Sequence, residues 1–402
     1  MTPSARPLAP LRRAEFIALI AMLFASIALS VDAMLPAMPL IAEQLSPEAP
    51  NRAQLIIGIF ILGMGIGTLF TGPLSDAWGR KPVIIGGAVI YCLASLACFF
   101  ANSLELMLLA RLFQGLGAAA PRTVAIALVR DQYRGREMAQ IMSYAMMIFT
   151  MVPAMAPMLG MAVMSVTDWH VIFLIYVLFG LTSILWLGLR QPETNPAGNR
   201  KPLSIASLVA AGREMAKHRI SWLSILLQSL IISALFSTIL SIQQIFEQHF
   251  GFGDSFPFWF CGIAVVAGSG SVLNARLVMR LGMRRMIVTT LSVVFTLSLL
   301  HLALQWGQVF TGTAEFAVYL IWQVTIFGMM GLTMGNLNAL AMEPLGRIAG
   351  FASSVISASS TVLSVLIAMP IGQAFNGTPV PLIFGATLCT GVALLLSRAL
   401  AK

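Results

Sequence analysis

The chain has 402 residues, of which 58% are hydrophobic and only 10% are charged, and its mean hydropathy is +0.89. A soluble domain usually carries about 25% charged residues, so this chain has too little polar surface to be a water-exposed globule. The net charge of +9 would suggest nucleic-acid binding in a soluble protein. Here the basic residues lie in short segments between apolar runs. We therefore expect a lipid bilayer, and no nucleic acid, around the chain.

Twelve apolar runs are long enough to cross a bilayer, which takes about 20 helical residues. The predicted spans are Phe16–Leu40, Leu55–Ser75, Pro82–Phe100, Leu104–Val129, Met138–Val163, Val171–Leu189, Ile220–Ile245, Phe256–Val278, Met286–Leu304, Phe316–Met342, Ile348–Ile371 and Leu382–Leu396. The first run is too long for a signal-peptide core and lacks a cleavage site of small residues, so we interpret it as a retained span. The predicted fold class is an all-α membrane protein.

The basic residues sort to one side of these spans. When the loops alternate, all but three of the 24 basic residues fall in segments on the same side. The exceptions are Arg52, in a loop on the other side, and Arg111 and Arg122, inside span four. Because positively charged loops stay in the cytoplasm, both termini are predicted to be cytoplasmic.

One long polar segment, Arg190–Arg219, divides the spans six and six. The predicted domains are an N-terminal six-helix bundle (1–189), a cytoplasmic linker lying along the membrane face (190–219) and a C-terminal six-helix bundle (220–402). A weak repeat supports this division, because Asn274–Arg285 lies between spans eight and nine where Gly72–Lys81 lies between spans two and three. Two parallel six-span halves are a known transporter layout.

The four cysteines lie inside apolar runs and form no C-x-x-C pair. We therefore predict no disulfide framework, metal site or cofactor. The sequence contains no nucleotide-binding loop of the form G-x-x-x-x-G-K-[ST], and the loops offer no Ser/His/Asp set. An enzyme is not expected.

The segment Gly72–Lys81 reads Gly-Pro-Leu-Ser-Asp-Ala-Trp-Gly-Arg-Lys. It resembles the signature loop between spans two and three of the major facilitator superfamily of transporters. The resemblance implies a monomer built from two pseudo-symmetric six-helix bundles. It also implies an inner gate, with Asp76 accepting from the start of span eleven or pairing with Arg130. The gating residues it implies are Gly72, Asp76, Gly79, Arg80, Lys81 and Arg130.

Three charged residues lie inside predicted spans, where a charge is costly and usually functional. Asp32 lies roughly 13 Å from the outer end of span one, and Arg111 lies roughly 12 Å from the outer end of span four. Arg122 lies about three turns deeper toward the cytoplasm. Arg111, Gln114 and Arg122 share one helix face. We expect this face to line a cavity opposite Asp32. A purely structural salt bridge between Asp32 and Arg111 is the alternative, and both can hold.

Further resemblance narrows the family. Asp32-Ala-Met-Leu35-Pro36 resembles the Asp-x-x-Leu-Pro element of drug:proton antiporters, and Arg111-Leu-Phe-Gln114-Gly115-Leu-Gly117 resembles their span-four element. Ala156-Pro157-Met-Leu-Gly160 resembles their span-five element, although positions 153–155 read Pro-Ala-Met and lack the usual glycine. Together with Arg130-Asp131-Gln-Tyr133, these motifs resemble the Bcr/CflA branch of bacterial drug-resistance transporters. The resemblance implies small-molecule substrates, protons as the coupled ion and a location in the bacterial inner membrane.

Several other polar or bending residues complete the predicted site. Gln228, Asn336 and Asn338 are expected to line the cavity from the C-terminal half, with hydrogen bonding between helices as the alternative. Pro153, Pro157 and Gly160 are expected to bend span five.

The predicted function is a proton-coupled antiporter that exports small amphipathic compounds, with Asp32 as the acid that binds the proton. The alternative is a symporter or facilitator that imports a specific metabolite. An alternative of another class is a membrane sensor or scaffold without transport, which has no reason to keep Asp32, Arg111 and Arg122 in lipid.

Overall fold

The computed structural model describes residues 11–200, 203 and 205–400, and this part of the chain is helical and contains no β-strand. The α-helices are α1 (Arg13–Asp32), α2 (Met38–Leu45), α3 (Leu55–Trp78), α4 (Arg80–Phe99), α5 (Leu104–Gln132), α6 (Gly135–Met164), α7 (His170–Arg190), α8 (Ile205–Lys217), α9 (Arg219–Gln244), α10 (Phe256–Leu281), α11 (Met283–Trp306), α12 (Thr313–Met342), α13 (Ala349–Gln373) and α14 (Val380–Ser397). Short 3₁₀ turns connect some of them, and a π-helical turn at Ile245–His249 extends α9.

Within the described ranges, twelve helical segments are long and apolar enough to cross a membrane. This confirms the predicted number of spans. Two differences from the prediction change the local structure near charged residues. The first span is interrupted after Asp32 and resumes through a 3₁₀ turn at Leu35–Ala37 and α2. The second runs on as helix to Trp78, so most of the predicted loop Gly72–Lys81 is helical.

Helix α5 packs closely against its neighbours through glycines. A Cβ atom added to Gly63 would lie 2.2 Å from the Leu112 carbonyl oxygen, and one added to Gly115 would lie 2.0 Å from the Phe60 carbonyl oxygen. On the other side, a Cβ atom on Gly117 would lie 2.5 Å from the backbone nitrogen of Tyr91. Small residues let helix backbones approach in a membrane, and Gly63, Gly115 and Gly117 make these close contacts possible.

A similar close approach joins α6 to the interruption after α1. A Cβ atom added to Gly160 would lie 1.9 Å from the carbonyl oxygen of Ala33. Pro153 and Pro157 lie inside α6, which continues through both. The bend that these prolines were expected to cause stays a prediction.

Hydrogen bonds identify the two ends of the bundle. At one end, Arg190 Nε donates to Glu15 Oε1 over 2.9 Å, which joins the end of α7 to the start of α1. We call this end, where the Arg190–Arg219 segment begins, the linker end. At the opposite end, Asn51 Nδ2 donates to the Phe375 carbonyl oxygen over 2.7 Å, and Gln54 donates to Gln244. These bonds hold N-terminal and C-terminal helices together at the end opposite the linker.

The α1–α6 contact leads to a testable prediction. Replacing Gly160 with Ala forces a methyl group into the Ala33 carbonyl, and we expect a loss of about 1–3 kcal/mol in stability from overpacking. Gly86→Ala is the matched control, because a Cβ atom there meets nothing within 4 Å and alanine favours the helix. Thermal unfolding in detergent measures both variants. Equal melting temperatures for the two would contradict the close approach.

Candidate functional site

Asp32 is the last residue of α1 and lies where the first span is interrupted. Only 5% of its surface is exposed, and the described part of the chain gives its carboxylate no hydrogen bond or ion pair. Tyr176, on α7 in the same half of the molecule, is fully buried. The Tyr176 hydroxyl is also buried without a hydrogen-bond partner in that part of the chain. Asp32 and Tyr176 are thus two buried polar groups that lack a hydrogen-bond partner in the described residues.

Arg111 does not pair with Asp32, so the structural salt bridge given above as the alternative is not formed. Its guanidinium is fully buried. It donates to the Ile56 carbonyl over 3.0 Å, to the Ser30 carbonyl over 3.1 Å and to Gln114 Oε1 over 2.5 Å. Its central carbon also lies 4.3 Å from the centre of the Phe60 ring, within the range of a cation–π contact.

The interruption of α1 explains how Ser30 can accept from Arg111. The last carbonyls of a helix have no donor four residues ahead, and α1 ends two residues after Ser30. The helix end therefore supplies a free carbonyl dipole to the guanidinium. The expectation that Arg111 lines an open cavity is wrong, because its charge is enclosed by backbone oxygens and an aromatic ring.

Gln114 extends this network instead of facing a cavity. It is fully buried, and its Nε2 donates to Ser95 Oγ over 2.7 Å. On the same side of the bundle, the Ser30 and Tyr91 hydroxyls lie 2.6 Å apart. The sequence analysis missed Ser30, Tyr91 and Ser95, which look like ordinary small or aromatic residues of apolar spans. Only the three-dimensional structure reveals their role, because the packing of α1, α4 and α5 brings them together around Arg111.

Arg122 behaves differently from Arg111. Its side chain is exposed although protein atoms surround it densely, which indicates a wall of an internal space. Among the described residues it makes one weak polar contact, from Nη1 to Met64 Sδ at 3.9 Å. Sulfur is a weak acceptor. Arg122 is therefore a cation that remains available to a ligand.

The three polar candidates of the C-terminal half fall into different environments. Gln228 is buried, and its Nε2 has no partner in the described ranges. Asn336 donates to Asn274 Oδ1 over 2.8 Å, which joins α12 to α10. Asn338 is exposed. Gln228 and Asn338 thus have free polar groups, whereas Asn336 makes the helix–helix bond given above as the alternative.

The turn between α3 and α4 holds an ionic cluster at the linker end. Gly79 has φ +105°, a conformation that favours glycine. Arg80 lies just after it and pairs with two carboxylates, Asp76 and Asp131, the latter over 3.0 Å. Asp76 pairs with Arg80 and Arg130 is exposed, so this structure does not contain the expected pair of Asp76 with Arg130.

Two more members of the predicted gate make their own contacts. Lys81 Nζ donates to the Gly188 carbonyl over 2.6 Å. A Cβ atom added to Gly72 would lie 3.2 Å from Ser354 Oγ on α13, so α3 and α13 are close there. The expected bond from the N-terminus of span eleven to Asp76 stays a prediction.

The first part of the polar linker, which was expected to lie along the membrane face, docks onto this turn. Glu193 accepts from the backbone nitrogens of Arg80 (2.9 Å) and Lys81 (3.0 Å), the first residues of α4. Asn195 Nδ2 donates to the carbonyls of Ser75 (3.3 Å) and Asp76 (3.0 Å), near the end of α3. The linker thus caps one helix end with a carboxylate and the other with an amide. Capping groups satisfy backbone atoms that the helices leave free.

Comparison with known proteins agrees with this fold. A family model described as Major Facilitator Superfamily matches residues 18–369. Among solved structures, a D-xylose–proton symporter superposes with a TM-score of 0.74 at 12% identity, covering 96% of each chain. The transporter PepTSo superposes with a TM-score of 0.73 at 12% identity, covering 98% of each chain. At such identities these structures establish the fold alone.

The chain belongs to the Major Facilitator Superfamily and is a multi-pass membrane transporter of small molecules, not an enzyme. Within that family it is similar to the bicyclomycin resistance protein homolog of Haemophilus influenzae, at 27% identity over 371 residues that cover 91% of this chain and 90% of the relative. It is also similar to the multidrug resistance protein MdtL of Citrobacter koseri, at 36% identity over 169 residues that cover 42% of this chain and 43% of the relative. The resemblance to the Bcr/CflA branch is confirmed.

The docked linker leads to a second prediction. Glu193→Gln keeps the side-chain shape but removes the charge at the start of α4, and a lost helix cap costs about 0.5–2 kcal/mol. We expect faster trypsin cleavage after Arg200, which is bonded through its Nε to the Asn195 carbonyl. Glu48→Gln, at the opposite end of the bundle, is the control. If both variants are cleaved at the wild-type rate, Glu193 does not hold the linker.

Proposed function

We propose that this protein is a proton-coupled antiporter that exports small amphipathic compounds, with Asp32 as the group that binds the proton. The observation that carries the proposal is a buried carboxylate at an interruption of a membrane span, with no hydrogen bond or ion pair to any described residue. An ionised carboxylate in such a place costs several kcal/mol. A proton, a bound cation or water must therefore compensate it. Because α1 ends at Asp32, a small change in the backbone there alters the access of the carboxylate to water.

The direction of transport is supported by the sequence motifs and by the relatives. The Ala156–Gly160 element resembles that of antiporters, and the similar proteins are named for bicyclomycin resistance and multidrug resistance. The location follows from the same resemblance and from the positive-inside rule. We place the linker end and both termini in the bacterial cytoplasm, and we propose that the chain works as a monomer.

The contacts divide the candidate substrate residues into two groups. Arg122, Gln228 and Asn338 have polar atoms free for a ligand, and we assign them to substrate binding. Arg111 and Gln114 are fully bonded within the protein, and we assign them to positioning the end of α1. Asn336 holds α12 against α10. Since Arg122 presents its charge alone, we propose that neutral or anionic compounds bind better than strongly cationic ones.

The gate proposed at the linker end is the cluster of Gly72, Asp76, Gly79, Arg80 and Lys81. Alternating access requires one half of the molecule to move against the other. The domains that move are proposed as 1–189 and 220–402, joined by 190–219. Arg130 has no ion pair among the described contacts and stays a candidate for the outward-open state.

The first experiment tests Asp32. Everted membrane vesicles, whose cytoplasmic face is outside, are tested for uptake of a fluorescent substrate from the medium with and without a proton gradient. We expect Asp32→Asn to abolish gradient-driven transport while substrate binding to the purified protein persists, because asparagine cannot release a proton. Full gradient-driven transport by the variant would refute proton coupling through Asp32. Transport in the opposite direction would indicate an importer.

The second experiment tests Arg122. Arg122→Gln removes the exposed charge and keeps hydrogen-bonding capacity. We expect the affinity for an anionic substrate to fall about tenfold or more relative to a matched neutral one, because charge-assisted hydrogen bonds contribute about 1.5–3 kcal/mol. Competition binding with the anionic, neutral and cationic members of one compound series measures this change. A wild-type preference for the cationic member would contradict the proposed selectivity.

A further inference from the structure

The turn between α10 and α11 repeats the backbone geometry of the α3–α4 turn without its acidic residues. Gly282 has φ +81° and ψ 154°, and Gly79 has φ +105° and ψ 157°. Aligning these glycines places Met279 at the position of Asp76 and Met283 at the position of Arg80. Met279 is 87% exposed. The ionic cluster that holds the N-terminal turn has no counterpart here.

Four arginines surround this second turn, and we call them the arginine tip: Arg276, Arg280, Arg284 and Arg285. All four side chains are exposed. In the ranges that the structure describes, none of them forms an ion pair. Arg80, in contrast, contacts two carboxylates. The arginine tip is therefore a concentration of positive charge that the protein does not neutralise.

An apolar groove reaches the arginine tip from the membrane side. It has a volume of about 330 Å³ and lies between α10, α11 and α12; we call it the lateral groove. Its rim includes the exposed Leu273 and Val293, and its floor includes the buried Met286 and Met329. It extends to Leu281, the last residue of α10 and the neighbour of Arg280. The lateral groove and the arginine tip thus meet at the linker end of the bundle.

We propose that the lateral groove and the arginine tip form a binding site for an anionic phospholipid, with an acyl chain in the groove and the phosphate on the arginines. Charge complementarity selects this occupant, because basic clusters beside membrane helices bind anionic head groups. Guanidinium groups bind phosphate through paired charge-assisted hydrogen bonds. The proposal requires only that the chain spans a membrane and is independent of proton coupling and transport direction.

The bound phosphate would replace the carboxylates that the α3–α4 turn has and the α10–α11 turn lacks. In the N-terminal half, Asp76, Asp131 and Glu193 hold the turn from within the protein. In the C-terminal half the lipid head group supplies the negative charge. The position of this turn then depends on the lipid composition of the membrane.

Native mass spectrometry of the purified full-length protein, titrated with phosphatidylglycerol or phosphatidylcholine, tests the site. Arg284→Gln/Arg285→Gln removes two charges from the arginine tip. Arg134→Gln/Arg136→Gln removes two exposed arginines from the α5–α6 turn at the same end and is the matched control. Val293→Trp fills the groove and leaves every arginine in place. Thermal unfolding confirms that each variant is folded.

We expect wild-type protein to retain phosphatidylglycerol in preference to phosphatidylcholine. The Arg284/Arg285 variant should bind phosphatidylglycerol about tenfold to thirtyfold more weakly, the scale of two cationic contacts at a membrane surface, and the control less than twofold more weakly. Val293→Trp should also weaken binding. Equal losses in the two arginine variants, unchanged binding in Val293→Trp, or equal retention of the two lipids would each overturn the proposal.

Discussion

A charge buried in the membrane must be solvated by the protein, and Arg111 is the residue on which the N-terminal half depends in this respect. Its guanidinium is surrounded by the carbonyls of Ile56 and Ser30, the amide of Gln114 and the ring of Phe60. These groups belong to three helices, α1, α3 and α5. The Ser30 carbonyl is available because α1 ends two residues later. The close approach of α3 to α5 at Gly63 and Gly115 brings the Ile56 carbonyl within reach. The close packing of α3 against α5 and the solvation of the Arg111 charge therefore depend on the same helix contact.

Asp32 shows the opposite condition in the same region. It lies two residues from Ser30, yet its carboxylate has none of the partners that stabilise Arg111. A structural salt bridge would have satisfied both residues and left neither available for chemistry. The observed arrangement satisfies the cation with backbone dipoles and leaves the acid unpaired. This asymmetry is what makes Asp32 a candidate for proton binding, whereas Arg111 positions the helix end beside it.

The two helix turns at the linker end show the same logic at the membrane surface. The α3–α4 turn satisfies its charges with carboxylates from α3, α5 and the linker, so it is a self-contained structure. The α10–α11 turn has the same backbone but an excess of arginines beside an apolar groove. The same backbone turn therefore occurs twice with different neutralisation of its arginines. Protein carboxylates neutralise Arg80 at the α3–α4 turn, and we propose that a lipid phosphate neutralises the arginine tip at the α10–α11 turn.

The sequence by itself determined the number of spans, the sorting of the basic residues and the motifs shared with drug-resistance transporters. These properties follow from hydropathy, charge and motif spacing, which can be read from short stretches of the chain. The tertiary structure decided what the local pattern does not contain. It separated Arg111 from Asp32, because free carbonyls at a helix end compete for a guanidinium and are invisible to a count of charged residues. It also brought Glu193 onto the start of α4, a contact between segments far apart in sequence. A residue type and its depth indicate that a buried charge needs a partner, but only the packing of the helices selects that partner.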